Sequence, residues 1–318
     1  MSAIGTYLGT PIFTSRRTAS SYDYLVENIR KRIEGWQAKY LSMAGRATLI
    51  KASITSIPTY AMQTTLLPQK ICHHIDKLSC NFLWGDTEHH KGCHTVNWAT
   101  VTTPKAAGGL GIPSTRHRNH AILMNQAWRL YSNPTTLWAR VLQAKYFPNA
   151  TLFTSSHASR GSHIWTAFSV GLKLLREGMT WIVGDGHTIR IWQDSWLPNG
   201  SLRNYIAGPL LFQDVDSRIN SLWINKSWAV DLLNFPLPPH LQNIIQGIPI
   251  AHTIHVPDAY LWPHNKGTCS VKSASHFLYE QDLVPWNSTL WNWIWTLLGK
   301  ILIPLVSMSE LKLMTTKQ

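Results

Sequence analysis

Five residues of the types that ligate zinc fall within fifteen positions: Cys80, His89, His90, Cys93 and His94. Thiolates and imidazoles together hold tetrahedral zinc. The spacing does not give the two ligand pairs of a finger, and Cys80 lies on an apolar periodic run. The reading taken is therefore a packed Cys80 beside solvent-facing loop histidines, with no metal ligand assigned. Cys72 and Cys269 have no evident ligand partners and read as structural thiols. Among the carboxylates, Asp185 in Gly184-Asp185-Gly186 and Asp194 read as turn residues that bond their own backbone. Asp214 and Asp216 are spaced to hold Mg2+ against phosphates. No phosphate-cradling loop accompanies them, because Gly108-Gly109-Leu110-Gly111 lacks the Lys-Ser/Thr that completes a P-loop. Gly-x-Ser-x-Gly and His-Glu-x-x-His are also missing. The inventory predicts a chain that is not an enzyme, with no catalytic residue and no cofactor.

The basic residues form a more coherent set. Arg16, Arg17, Arg30, Lys31, Arg32, Lys39, Arg46 and Lys51 face only Asp23, Glu27 and Glu34 in the same stretch. Lys and Arg on helices contact phosphates without reading sequence, which predicts RNA or DNA backbone as the partner. The residues assigned to such contacts are Arg30, Lys31, Arg32, Lys39, Arg46 and Lys51; the competing reading is a merely solvated helix face. Lys105, Arg116, Arg118, Arg129, Arg140 and Lys145 extend the basic character. Residues 1–150 hold 17 Lys/Arg against 6 Asp/Glu, so +11 of the overall +13 lies there. Trp36, Trp128 and Trp138 are of a type that stacks on bases, but their helical spacing reads as core or cover.

These side chains need a scaffold, and the apolar pattern supplies one. With 318 residues, 44% hydrophobic and 14% charged, the chain has material for about two packed domains and not the composition of disorder. Leu25, Ile29 and Ile33, continued by Trp36 and Tyr40, predict a helix, with Gly35 bending it and Gly45 opening another. Pro58 starts a further segment and Pro68 interrupts it. Ile71, Ile75, Leu78, Phe82 and Leu83 then make a stripe that ends at Trp84. After the glycine-rich connector of residues 104–113, Asn119 is the predicted cap of a helix burying Ile122, Leu123, Ala127 and Leu130. Helices are predicted at 137–146 and 162–176. Two β-rich runs on either side of Gly184-Asp185-Gly186 predict a β-hairpin near 181–192. Residues 197–256 read as short helices and loops, and a strand-to-helix passage runs from Tyr260 to Tyr279. The fold class is mainly α with a smaller mixed α/β portion.

No secretory signal is read in Met1 to Pro11, and the apolar stretch from Trp291 to Val306 is broken by Asn292, Lys300 and Pro304. Four cysteines do not make a disulfide scaffold. The expectation is an intracellular chain without membrane partners, with nucleus and cytoplasm both open.

An ordered series of landmarks resembles the region just beyond the palm of plant non-LTR (LINE-type) retrotransposon reverse transcriptases. It comprises Tyr7-Leu8-Gly9, Glu34-Gly35-Trp36, Leu41-Ser42-Met43-Ala44-Gly45-Arg46, Ile57-Pro58-Thr59-Tyr60 and Phe82-Leu83-Trp84-Gly85. Gly108-Gly109-Leu110-Gly111-Ile112, Asn119-His120-Ala121-Ile122-Leu123 and Trp128-Arg129-Leu130 follow, then Trp181 and Ile191-Trp192-Gln193-Asp194-Ser195-Trp196. Asp258, Trp262, Gly267, Ser270-Val271-Lys272-Ser273-Ala274 and Trp291, Trp293, Ile294, Trp295 resemble the opening of that family's reverse-transcriptase zinc-binding region. Trp36, Gly45, Trp84, Gly109, Trp128, Trp192 and Trp196 are the structural landmarks of the series.

The resemblance implies a thumb-like helical segment at 1–84, a connector with helices at 85–150 and a mixed α/β, loop-rich connector at 151–256. It further implies a truncated start of the zinc-binding-like region at 257–295 and a diverged tail at 296–318. In the family, palm aspartates perform nucleotidyl transfer with Mg2+ upstream of the Tyr-Leu-Gly landmark, and some relatives carry a ribonuclease H domain downstream. The expectation is a non-catalytic fragment whose partners are nucleic-acid phosphates and the palm of the parent protein. The rival readings are a packing module without binding function and an active reverse transcriptase or ribonuclease H.

Overall fold

The computed structural model describes residues 5–7, 10–12, 19–36, 40–86, 91–148, 152, 161–197, 200–206, 208–224, 227–233, 235, 237–249 and 256–282. Among these, the chain is mainly helical with a smaller mixed α/β portion. It divides into two compact units, Met1–Leu174 with Val271–Gln318, and Leu175–Ser270. No helix among the described residues is long and apolar enough to cross a membrane.

The first unit opens with the antiparallel pair β1 (Gly5–Tyr7) and β2 (Thr10–Ile12). Helix α1 (Asp23–Glu34) buries Leu25, Val26 and Ile29 and carries Asp23 in its first turn and Lys31 and Arg32 in its last, which suits the helix dipole. Gly35 ends it, so Trp36 lies beyond the helix and packs on Phe82 with ring centroids 5.3 Å apart. Helix α2 (Met43–Ala52) starts where the Gly45 amide donates to Ser42 Oγ at 3.2 Å, and the single turn α3 (Thr59–Met62) follows Pro58. Helix α4 (Gln69–Trp84) follows Pro68 and ends at Gly85, whose φ of +76° permits Asp86 N to donate back to Asn81 O at 2.8 Å. These helices share one core with Ile50, Ile54, Met62, Ile71 and Leu83 at its centre.

After α5 (Trp98–Val101), the connector turns through Gly108 and Gly111 at positive φ. A side chain on buried Gly109 would run into the Thr103 carbonyl. Helix α6 (Thr115–Ser132) is capped by Ser114, to which the His117 amide donates at 3.3 Å. The cap is therefore not Asn119. That residue is buried in the helix and stitches the α3–α4 turn: Oδ1 accepts from Leu67 N at 2.8 Å, and Nδ2 donates to Met62 O and Thr65 O. A mid-helix amide serves here because the turn before Pro68 leaves backbone groups without helical partners. Helices α7 (Leu137–Tyr146) and α8 (His163–Gly178) follow, with the unit boundary falling within α8. Trp128 packs on Tyr131 and Trp138 on Phe168.

The second unit is built from shorter pieces: β3 (Thr180–Ile182), α9 (Phe212–Val215), β4 (Trp223–Ile224), β5 (Ser227–Trp228), α10 (Pro239–Gln246) and β6 (Ala259–Leu261). The hairpin expected near 181–192 does not form. Strand β3 pairs instead with β6, antiparallel, with Trp181 opposite Tyr260. The physical reason is Asp258, whose carboxylate accepts from Gly184 N, Gly186 N, Thr188 N and Thr188 Oγ1 at 2.6–2.9 Å. That grip turns the Gly-Asp-Gly loop toward the distant strand rather than back along its own neighbour. Residues 191–194 form a turn, with Arg190 N donating to the Asp194 carboxylate at 2.8 Å. Trp192 and Trp196 centre the unit's core together with Leu202, Ile219 and Leu241.

The last helix of the description, α11 (Val271–Asp282), packs against α6 within the first unit. It lies in the segment that the family resemblance assigns to the zinc-binding-like region. Residues 283–318, including the remainder of that segment and the diverged tail, lie outside the described residues.

Candidate nucleic-acid interface

Of the six cations assigned to phosphates, the five among the described residues divide between exposed positions on α1 and main-chain contacts from α2. Arg30 and Lys31 project exposed from α1, where Glu27 pairs with both, at 3.1 and 3.8 Å. Arg32 is also exposed; its Nε donates to Ser53 Oγ at 3.2 Å and its guanidinium lies 5.9 Å from the centre of the Trp36 ring. Three consecutive helical residues splay around the axis, so this divergence is geometric. Lys39 lies outside the described residues.

Arg46 and Lys51 are committed to the backbone. Arg46 Nε donates to Leu41 O and its Nη1 to Leu83 O at 2.9 Å, satisfying a carbonyl in the last turn of α4. The guanidinium occupies the space a side chain at Gly85 would need, which ties two landmarks of the sequence to each other. Lys51 Nζ donates to Leu110 O at 2.5 Å, and burial together with nearby Lys105 lowers its pKa.

Other cations, not singled out in the sequence, converge. The groove between α1 and α4, of about 740 Å3, is lined by Arg30 from α1 and by Lys70, His74 and Lys77 from α4, with Asp23 and Glu27 also on its wall. Lys70, His74 and Lys77 are exposed. The signal for them was present in the sequence: Lys70, His74 and Lys77 fall at four- and three-residue spacing, opposite the apolar stripe of the same helix.

A second cavity, about 820 Å3, lies within the same unit among α4, α5, the connector, α6 and α11. Its wall carries Asp76, whose Oδ1 accepts from Thr115 N at 3.0 Å and from Thr115 Oγ1 at 2.6 Å; burial raises this carboxyl above the usual range. His117 is fixed at both ring nitrogens, by Ser114 Oγ and by the Asp282 carboxylate, each at 2.7 Å, and stacks on Tyr279 at 4.4 Å. His94 stacks on Trp84 and reaches the Asp86 carboxylate at 3.1 Å.

Cys80 Sγ lies 3.9 Å from His94 Nδ1, and Cys93 is exposed; His89 and His90 lie outside the described residues. Among the described residues no group of three or more His, Cys, Asp or Glu side chains is placed to hold a metal ion. Burial pushes the Cys72 and Cys269 thiols up to about 12, so neither is a ready nucleophile. Asp185 accepts from His187 N at 3.1 Å, a turn bond of the kind its position suggests.

No family model matches the chain. It is 31% identical over 292 residues to a protein of Arabidopsis thaliana named "Putative ribonuclease H protein", covering 90% of this chain and 47% of that protein. The chain thus spans about half the length of that relative. It is 30% identical over 143 residues to an uncharacterized mitochondrial protein of Arabidopsis thaliana, a match of 45% of this chain and 93% of the relative. A transposon TX1 uncharacterized 149 kDa protein of Xenopus laevis is 28% identical over 144 residues, 44% of this chain and 11% of its own length. With nearly the full length of the plant mitochondrial protein matched at this identity, the chain belongs to that protein's family, and its likeness to the transposon and ribonuclease H-named proteins links it to retroelement proteins.

Proposed function

We propose that this chain is a retroelement-derived helical module that contacts nucleic-acid backbone phosphates through the α1–α4 groove and carries out no chemistry itself. The observation that carries this reading is the convergence of Lys70 and Lys77, with Arg30 held by Glu27 beside them, on one groove in the half of the sequence that holds +11 of the net charge. Charges placed this way bind phosphates without reading bases. In a longer relative, such helices would guide a template–primer duplex while the palm performs nucleotidyl transfer with Mg2+; no cofactor is assigned to the present residues.

Filter binding of a duplex oligonucleotide to the full chain across a salt series tests the groove. Two phosphate contacts, from Lys70 and Lys77, correspond to a log–log slope of about −2, and Lys70→Gln with Lys77→Gln should flatten it by about 1 to 2. Arg46→Gln should leave the slope unchanged. A primer-extension assay and an RNA–DNA cleavage assay with Mg2+ test the non-catalytic part of the reading; activity above background overturns it.

A second reading, a packing module with no binding role, is favoured by the attachment of Arg46 and Lys51 to main-chain carbonyls. Absence of binding at low salt would select it over the groove.

A further inference from the structure

The α1–α4 groove and the second cavity share lining residues. Lys77 and Asn81, one turn apart on α4, line both the cationic α1–α4 groove and the larger cavity beside it. The groove offers charge. The cavity offers something different: flat rings held in place and hydrogen-bonding groups around them. His117 is immobilised by Ser114, Asp282 and Tyr279, and His94 by Trp84 and Asp86, so neither ring loses much freedom when another ring stacks on it. Asp76, Asn97 and Thr103 also line this cavity. At about 820 Å3 the cavity is within the size range of small-molecule sites, with ample room for one nucleobase.

From this juxtaposition we infer that the larger cavity is a nucleobase pocket, which receives an unpaired base from a strand whose phosphates follow the α1–α4 groove past Lys77. The inference rests on the groove reading and adds to it a preference for single strands that carry bases. A base in a duplex is already stacked and paired, so only an unpaired nucleotide enters without the cost of extrusion. Ring stacking is tolerant of base identity, so the preference is for a base over none, not for one base over another.

The experiment compares three twelve-unit probes on the full chain at low salt: oligo(dA), an oligomer of abasic sites with the same backbone, and a duplex. The expected result is binding of oligo(dA) about tenfold tighter than of the abasic strand. A 2-aminopurine in the dA strand should be quenched on binding. Two cavity-filling variants at exposed positions of α5, Ala99→Trp and Thr100→Trp, should abolish the tenfold preference while leaving abasic affinity at the wild-type level. Circular-dichroism melts identify a variant that has lost its fold, and the other then decides. Equal affinity for dA and abasic strands overturns the base pocket while leaving the groove standing. Persistence of the preference in a folded cavity-filled variant does the same. No binding of any probe removes both readings together.

Discussion

The two units meet the same physical requirement, a partner for every buried backbone group, in opposite ways. The first unit uses long helices, whose ladders satisfy most of the chain internally, and adds side chains chiefly at helix ends and at the connector, where Lys51 holds Leu110 O. Arg46 closes the end of α4, Ser114 opens α6, and Asn119 holds the turn before Pro68. The second unit has elements of two to eight residues, too short to satisfy themselves, and its loops are closed by backbone bonds between separate segments, such as Ile191 N to Ser217 O at 3.0 Å, together with side chains. Asp258 accepts four bonds from one loop, Trp196 Nε1 donates to Ile191 O at 2.8 Å, and Trp228 Nε1 donates to Ile248 O at 2.9 Å. Trp196 and Trp228 suit such a unit because their rings pack in the core while their N–H groups pair carbonyls. The six tryptophans of Leu175–Ser270 are therefore less a stacking surface than part of the framework of a unit with little regular structure.

The sharpest way to break this contrast is to empty the second core. Trp192 is 1% exposed, and Trp192→Ala should cost about 3–5 kcal/mol. Hydrogen exchange should then show protection lost across Leu175–Ser270 while α4 and α6 keep theirs. An equal loss in both units would mean that they share one cooperative transition. In the first unit the corresponding weak point is polar. Asn119→Ala strands the Leu67 amide and the Met62 and Thr65 carbonyls in a buried site and should cost about 3 kcal/mol, read as a lower urea midpoint for α6. A cost below about 1 kcal/mol would show that the turn satisfies itself without the side chain.

The sequence was most informative where helices follow their own period. The α4 stripe, its start after Pro68 and its stop at Gly85 are all local, and so is the α7–α8 pair. It was least informative where a residue's partner is distant. The strand at 180–182 is short, and nothing in its neighbourhood selects a partner at 259–261; that choice belongs to Asp258, 70 to 74 positions from the loop residues it grips. The charge reading failed to separate two uses of a cation for the same reason. Arg46 and Lys51 look like phosphate ligands by type, but their carbonyl partners Leu83 and Leu110 are 37 and 59 positions away. Lys70 and Lys77, which line the groove, stood on a helix read only for its apolar face.

Asp258 gives the next smaller effect. Its carboxylate is half-buried and its hydrogen bonds hold its pKa below the ordinary 3.8 against the opposing pull of burial. A depressed folded pKa means that the unfolded chain binds the proton more readily, so the contribution is present above the unfolded value and is lost as pH falls through the folded one. Asp258→Asn should cost about 1–2 kcal/mol at pH 7, at the low end because solvent screens a half-exposed group. The wild type and the variant should converge on acidification, measured as melting temperature against pH. A difference that does not narrow at all on acidification would assign the effect to shape rather than charge.

Asp76 is the counterpart in the first unit, and its sign is reversed. Burial is the largest influence on it and raises its pKa; the two bonds from Thr115 and the nearby His73 and His117 only partly oppose that. A raised folded pKa means that the folded chain binds the proton more readily, so this site adds stability as pH falls from the folded pKa toward the unfolded value, and the ionised form is the less favourable state at pH 7. Asp76→Asn keeps an oxygen to accept from Thr115 N and Thr115 Oγ1 and removes the charge. It should therefore leave the first unit unchanged or stabilise it by less than about 1 kcal/mol at neutral pH. Subtracting the variant's melting curve from that of the wild type between pH 3 and 7 isolates this site from the other carboxylates. The gap should close on acidification, with the wild type rising toward the variant. If instead the variant is less stable at pH 7, the Thr115 bonds require the full negative charge. Asp76 would then be an anchor of the same kind as Asp258, and the two units would differ in the length of their elements but not in how they use a buried acid.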